Sequence, residues 1–317
     1  MSLPPLIIVN PASAGNSTRA AWPAMASDLA AHFGAFNCAF TKAAGDARAL
    51  AAKGAREGRR LIVACGGDGT INEVANGILE SGCHDVELGI LPSGTGGDFR
   101  RTLRIPVSAA DAARTLLRGR TRSIDVGRAT YINHEGAEET RYFLGVASFG
   151  MSTEIISRVK ASDSRWLPNA RTSWLGGRIS FAVATAQATL SYAKTDVLVQ
   201  MDCGRERRLA VTNLCIANAR YFGGGMKIAP QAKLDDGQFD IITINEMSAI
   251  RILTNTHKLY RGTHLEMEDV YQARARIVTA RPAQSNEKVM IEIDGELPGY
   301  LPATFEILSR SLLVKCS

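Results

Sequence analysis

Leu61-Ile62-Val63-Ala64-Cys65-Gly66-Gly67-Asp68-Gly69-Thr70-Ile71 is the stretch that decides the fold. Its opening apolar run has no polar alternation, as expected of a parallel strand covered on both faces. The glycines that follow read as a sharp turn, and Ile71 to Glu80 has helical spacing. Strand, turn and helix in this order are the building unit of a doubly wound α/β sheet. Leu6 to Asn10, Phe36 to Thr41, Arg60 to Gly66 and Glu87 to Ser93 read as strands. Thr18 to Phe33 and Asp46 to Glu57 read as further helices between them, and Ser108 to Arg118 closes the block.

From about Gly127 the strands lengthen, alternate and gain Thr and aromatic residues, which is an antiparallel pattern. Thr140 to Val146, Asp196 to Met201, Leu209 to Ala217, Gln238 to Ile244, Tyr271 to Thr279, Val289 to Asp294 and Thr304 to Val314 read as strands. Helices interrupt them at Ser152 to Lys160, Arg178 to Tyr192 and Ser248 to Tyr260. The expected fold class is α/β. A doubly wound nucleotide-binding domain spans residues 1–127, with 305–317 returning to it, and a β-rich, sandwich-like domain spans 128–304. No repeat, low-complexity tract or long linker separates them.

Composition narrows the function classes. Lys and Arg number 37 against 31 Asp and Glu, a formal charge of +6, and 45% hydrophobic with 21% charged residues exclude a disordered or fibrous chain. That charge is modest over this length and no nucleic-acid motif is present, so a nucleic-acid partner is not expected. Cys38, Cys65, Cys83, Cys203, Cys215 and Cys316 lack zinc-ligand spacing and suit a reducing, cytoplasmic setting. No basic region precedes the apolar residues after Pro5, so a secretory signal is not expected. No run reaches the roughly 20 apolar residues of a spanning helix; Ile179 to Ala193 comes nearest. Action at a membrane would be peripheral. The five histidines have neither metal-ligand spacing nor a paired nucleophile, and no nucleophile elbow surrounds a serine.

Gly66, Gly67 and Gly69 let the backbone bring its N–H groups close to an anion at a helix N-terminus. Thr70 can cap that helix or donate its hydroxyl, and an acid such as Asp68 beside phosphates calls for magnesium or its waters between them. The alternative is a tight turn with an acidic cap. Pro92-Ser93-Gly94-Thr95-Gly96-Gly97-Asp98-Phe99 repeats the chemistry after the next strand, and Asn10-Pro11-Ala12-Ser13-Ala14-Gly15 ends the first. Such loops would converge at the carboxyl edge of one sheet. Neither the Lys-containing phosphate loop nor the dinucleotide glycine pattern is present.

With those motifs the chain resembles the diacylglycerol kinase catalytic-domain family, which includes bacterial lipid kinases and sphingosine and ceramide kinases. The resemblance extends through Tyr221-Phe222-Gly223-Gly224-Gly225-Met226, Leu234-Asp235-Asp236-Gly237 and Asp294-Gly295-Glu296, covering nearly the whole chain. NAD kinases and phosphofructokinases carry a motif like the first, so the first domain is expected to be similar to theirs. The resemblance implies an ATP site between two domains, held by Asn10, Ser13, Gly15, Thr41, Gly66, Gly67, Asp68, Gly69, Thr70, Ile71, Asn72, Glu73 and Thr95. It implies that Asp68, Asp98 and Asp125 organise Mg2+ and its waters. A second-domain metal would lie at Lys233, Asp236 and Gln238, and Glu296 matches the proposed proton acceptor. Gly97 departs from the pattern, which usually has Asn.

Read without the resemblance, Asp294-Gly295-Glu296 is a hairpin turn followed by a solvated acid, and Asp236-Gly237 is a turn. Two basic segments are candidates for phosphates or anionic headgroups, and equally for solvated or packed faces. They are the arginines from Arg100 to Arg122, and Arg165 to Arg178 with Trp166 and Trp174. The expected function is ATP- and magnesium-dependent phosphorylation of a hydroxyl of diacylglycerol or a related glycerolipid at the inner face of the membrane. The rivals are a kinase of a soluble substrate such as NAD and a catalytically silent nucleotide- or lipid-binding regulator. Homodimerisation through an exposed strand of the second domain stays open.

Overall fold

The computed structural model describes residues 3–93, 97–162 and 194–316. Gly94, Thr95 and Gly96 of the second loop, the expected helix Arg178 to Tyr192, the run Ile179 to Ala193 and the segment Arg165 to Arg178 lie outside these residues. The chain divides into two compact units, Met1–Val126 with Ser309–Ser317, and Gly127–Leu308.

In the first unit β1 (Leu6–Val9), β2 (Asn37–Phe40), β3 (Leu61–Gly66) and β4 (Glu87–Pro92) form a parallel sheet. The end of β14 (Glu296–Cys316) adds to it, pairing Leu313 with Glu87, so the order is β2-β1-β3-β4-β14. α1 (Ser17–Phe33) and α5 (Ala109–Arg118) cover one face, where Met25, Leu29, Ala112 and Leu116 bury Ile7, Val9, Val63, Cys65 and Leu91. α2 (Asp46–Arg56) and α3 (Asp68–Glu80) pack on β1 and β3. Ile8, Ile62 and Ile90, alternating with the first set, are equally buried. Two covered faces explain why these strands are apolar throughout. α4 (Asp98–Leu103) follows the second loop, and β5 (Arg120–Asn133) leaves the unit.

The second unit contains β6 (Glu138–Phe143), β7 (Val146–Gly150), α6 (Met151–Ser162), β8 (Thr195–Met201), β9 (Arg207–Ala217), β10 (Phe239–Asn245), α7 (Ala249–Arg261), β11 (Val270–Ala275), β12 (Ile277–Pro282) and β13 (Met290–Ile293). Antiparallel pairings run in a closed circuit, β14-β13-β7-β9-β8-β12-β14, with β10 and β11 added beyond β9. The long strands β9 and β14 each change partner along their length, which joins two layers around one core. Phe143 stacks on Phe239 at 5.5 Å and meets Phe305 edge-on inside that core.

Several elements differ from the sequence reading. α3 starts at Asp68 rather than Ile71, because Gly67 takes the extended N-cap conformation and Asp68 opens the helix as a first-turn acid. Thr70 is therefore inside the helix and is not its cap. The expected strand Thr140 to Val146 is two strands, broken where the N–H groups of Leu144 and Gly145 turn to Asp294. Tyr271 to Thr279 likewise divides, since the Arg276 and Ile277 amides bond to the Asp202 carboxylate.

Candidate active site

β2 and β3 flank β1 on opposite sides, so the chain leaves the carboxyl ends of β1 and β3 in opposite directions. In an open α/β sheet that switch point is where ligands bind. Asn10 continues from β1, its N–H bonded to the Cys65 carbonyl of β3 at 3.0 Å. Its side-chain Nδ2 donates to Thr70 Oγ1 at 3.0 Å, and its Oδ1 accepts the Ala12 N–H at 3.0 Å. A Cβ at Gly66 would stand 2.5 Å from Thr70 Oγ1 and 3.0 Å from Ser13 Oγ, so glycine is what admits both hydroxyls. Asn10, Ser13, Gly66 and Thr70 thus gather at the start of α3. At Gly67 and Gly69 a Cβ would meet nothing within 4 Å, which leaves the first helical turn open to an anion.

Neighbouring loops are tied to this point. Ser93 donates its N–H to the Gly66 carbonyl at 3.1 Å, and its hydroxyl bonds to that of Thr18. Ala14, Gly15 and Asn16 take successive left-handed conformations, with φ of 53°, 64° and 72°. Two of them are not glycine, which is uncommon outside sites held by their surroundings. Thr41 is buried and donates its N–H to the Val9 carbonyl at 2.9 Å.

Asp68 makes the central connection. Its Oδ2 accepts the Asp98 N–H at 2.9 Å and its Oδ1 the Phe99 N–H at 3.2 Å, so this carboxylate caps α4 from across the site. Gly97, the N-cap of α4, has φ of 70°. Glycine and asparagine are the residues that best tolerate that region. A Cβ at Gly97 would stand 2.9 Å from Arg100 Nε. Asp98 pairs with Arg101 at 2.7 Å, and Asp125, buried in β5, accepts the Arg310 N–H at 2.8 Å. Burial, then Arg101, holds the Arg100 guanidinium below its ordinary range while Asp68 and Asp98 oppose the shift.

Other residues of the first motif serve α2 and the core. Glu73 accepts the N–H groups of Gly45 at 3.0 Å and Ala47 at 3.1 Å, capping α2. The Asn72 carbonyl and Oδ1 accept the Asn76 amide, and Ile71 is buried. Part of the basic run is also engaged within the unit, since Arg114 pairs with Asp111 at 2.9 Å and Arg100 Nη1 donates to the Ile105 carbonyl at 2.9 Å.

In the second unit Asp294-Gly295-Glu296 is a tight turn, with φ of 47° and 86° at its first two residues. The Asp294 carboxylate accepts three N–H bonds, from Leu144, Gly145 and Val146, at 2.9, 2.9 and 3.0 Å. Glu292 is buried; its Oε1 accepts the Gly295 N–H at 2.6 Å and its Oε2 the Ser148 hydroxyl. These two acids fix the turn from which Glu296 projects as the first, exposed residue of β14. An Asp-Gly pair signals the turn from sequence, but nothing local signals that amides 150 residues earlier hold it.

Asp236 Oδ1 accepts the Gln238 N–H at 3.3 Å, its Oδ2 lies 3.9 Å from Arg274 Nη1, and Lys233 is exposed. Arg274 Nε also meets buried Asp240 at 3.4 Å. A cation bound at Asp236 would compete with that guanidinium. Among the described residues no three His, Cys, Asp or Glu side chains converge as a metal site. The first-unit acids therefore do not form a cage of their own. Asp68, Asp98 and Asp125 are each engaged by groups of the unit, and a magnesium ion that arrived with phosphates and kept its waters would not need such a cage.

Residues 4–129 match the family described as diacylglycerol kinase catalytic domain, and residues 158–316 match the YegS C-terminal NAD kinase beta sandwich-like domain. The chain is 30% identical to the diacylglycerol kinase of Bacillus subtilis over 275 residues, 86% of this chain and 83% of that protein. It is 26% identical to that of Staphylococcus carnosus over 274 residues, 86% and 82% of the two. The crystal structure of a diacylglycerol kinase from Bacillus anthracis has the same fold, with a TM-score of 0.70 at 22% identity, covering 99% of this chain and 97% of that one. With both halves matched in order and the Bacillus subtilis relative aligned over most of its length, the chain belongs to the diacylglycerol kinase family.

Proposed function

We propose that the chain transfers the γ-phosphate of ATP, with magnesium, to a hydroxyl of diacylglycerol or a related glycerolipid presented by a membrane surface. Membership of a kinase family implies ATP as donor. The observation that carries the reading is the gathering of Asn10, Ser13, Gly66 and Thr70 at the N-terminus of α3, where the sheet order reverses. Phosphoryl transfer asks for positioning and charge neutralisation rather than a covalent intermediate. The open backbone at Gly67 and Gly69 would lie against the phosphates, with the Ser13 and Thr70 hydroxyls as donors to their oxygens. Asp68 holds α4 in place through two N–H bonds and, with Asp98 and Asp125, would orient the waters around the ion. Bound magnesium would neutralise charge developing on the transferred group. Glu296 would accept the proton of the attacking hydroxyl. Among the described residues no helix is long and apolar enough to cross a membrane, which suits peripheral association with the surface that carries the acceptor.

Transfer of labelled γ-phosphate to diacylglycerol, phosphatidylglycerol, ceramide, a sphingoid base and NAD in mixed micelles tests the reading. A lipid product is expected, with kcat lowered about 10²- to 10⁴-fold in Glu296→Gln and product abolished in Asp68→Ala. Product from NAD alone would transfer the site to a soluble acceptor. ATP binding without product from any acceptor would sink the catalytic reading.

A further inference from the structure

We propose that the outward face of α7 is where the chain meets an anionic lipid surface. The proposal rests on the acceptor being a bilayer lipid and names the surface that reaches it. Among the described residues eight large hydrophobic side chains are exposed, and Ile250 is the most exposed of them at 76%. Leu253, at 41%, follows it by one turn. Residues three and four apart share a helix face, so Ile250, Leu253, Thr254, His257 and Arg261 lie together, and all five are exposed. The opposite face is accounted for, since Ile252 packs against Met151 and Ile155, and Leu259 against the cluster around Ile228. The outward aliphatic pair is therefore not a part of the core.

Charge decides what covers it. Ala249–Arg261 holds Arg251, Lys258 and Arg261 and no acid, and its first turn lacks the acid that would balance the helix dipole. Arg251 is paired with Asp269 at 2.7 Å, whereas Arg261 stands exposed at the last turn. Two aliphatic side chains are too few for a protein interface, which needs on the order of 1,000 Å². The acids nearest in sequence, Glu246, Glu266 and Glu268, lie outside the helix, so on the outward face itself the apolar stripe ends in the exposed cation Arg261, the arrangement an interfacial helix presents to acidic headgroups.

The test is co-sedimentation of the full chain with vesicles of phosphatidylcholine, with and without phosphatidylglycerol. Ile250→Asp combined with Leu253→Gln is the informative variant, because an acid in the first turn and a good helix former later both preserve the helix. Partition onto the phosphatidylglycerol vesicles is expected to fall about tenfold or more in this variant, and Arg261→Glu should erase the preference for them. Wild type that ignores both vesicles, or a double variant within about twofold of wild type, would overturn the proposal. So would a double variant that binds as before but loses self-association in sedimentation equilibrium, which would make the face a contact between copies. Binding is read without ATP, so its failure is separable from failure of the kinase reading. With the kinase reading correct, the double variant keeps its activity on a short-chain, water-soluble diacylglycerol.

Discussion

Asp294 and Glu296 stand two residues apart in one turn, and they do opposite work. Three N–H groups end on the Asp294 carboxylate, and an amide has one acceptor oxygen for them. Asp294→Asn should leave at least one of those partly buried donors without a partner, at about 1–3 kcal/mol of stability. Thermal melting of Asp294→Asn beside Glu296→Gln checks this, with a lower Tm in the first and an unchanged Tm in the second. An Asp294→Asn protein that melts like wild type would show that the carboxylate does not brace the turn. At this scale the sequence carries the motifs but not the partners of each side chain. The glycine turn and Asn10 were legible because each is a local pattern. Glu73 reads in sequence as part of a nucleotide motif, yet its carboxylate faces the amides of Gly45 and Ala47. Glu292 gives no signal at all, since a lone acid in a strand reads as a solvated residue until its burial is known.

Among the elements, the connection after α7 carries a titration. His264 opens the short 3-10 turn His264–Glu266; it is buried, with Nε2 at 3.0 Å from the Ile228 carbonyl. Burial is the leading cause that pushes its imidazole below the ordinary range, against the Ile228 and Lys258 backbone groups that raise it. Unfolding returns it to about 6.5. Below that value the unfolded chain binds the proton more readily than the folded one, so this contribution to stability is complete above pH ~6.5 and is lost as pH falls. Tm should drop between about pH 7.5 and about pH 5.5, and drop less in His264→Gln. Equal slopes in the two proteins would assign the pH dependence to other groups. Element existence was legible wherever one period dominated, as in β3 or α2. Boundaries were not, because distant groups set them: Asp202 ends β11 by drawing the amides of Arg276 and Ile277, and Asp294 separates β6 from β7.

Over the whole molecule, the thiols report on each unit separately. Cys65 lies in the sheet core of the first unit, its thiol pushed up to about 12 by burial. Cys215 lies in the core of the second, raised by burial and then by Glu292. The thiolate is the reacting form, so neither should react in the native state, whereas Cys38 and Cys203 are exposed and free. Labelling with a thiol reagent at neutral pH, followed by mass spectrometry of peptides, should modify Cys38 and Cys203 at least about 10³-fold faster than Cys65 and Cys215. The residual rates at the two buried thiols then measure how often each unit opens. Equal rates would mean that the units open together, through the two strands, β5 and β14, in which the chain passes from one to the other. Fast labelling of either buried thiol in native buffer would contradict the packing that places it in its core.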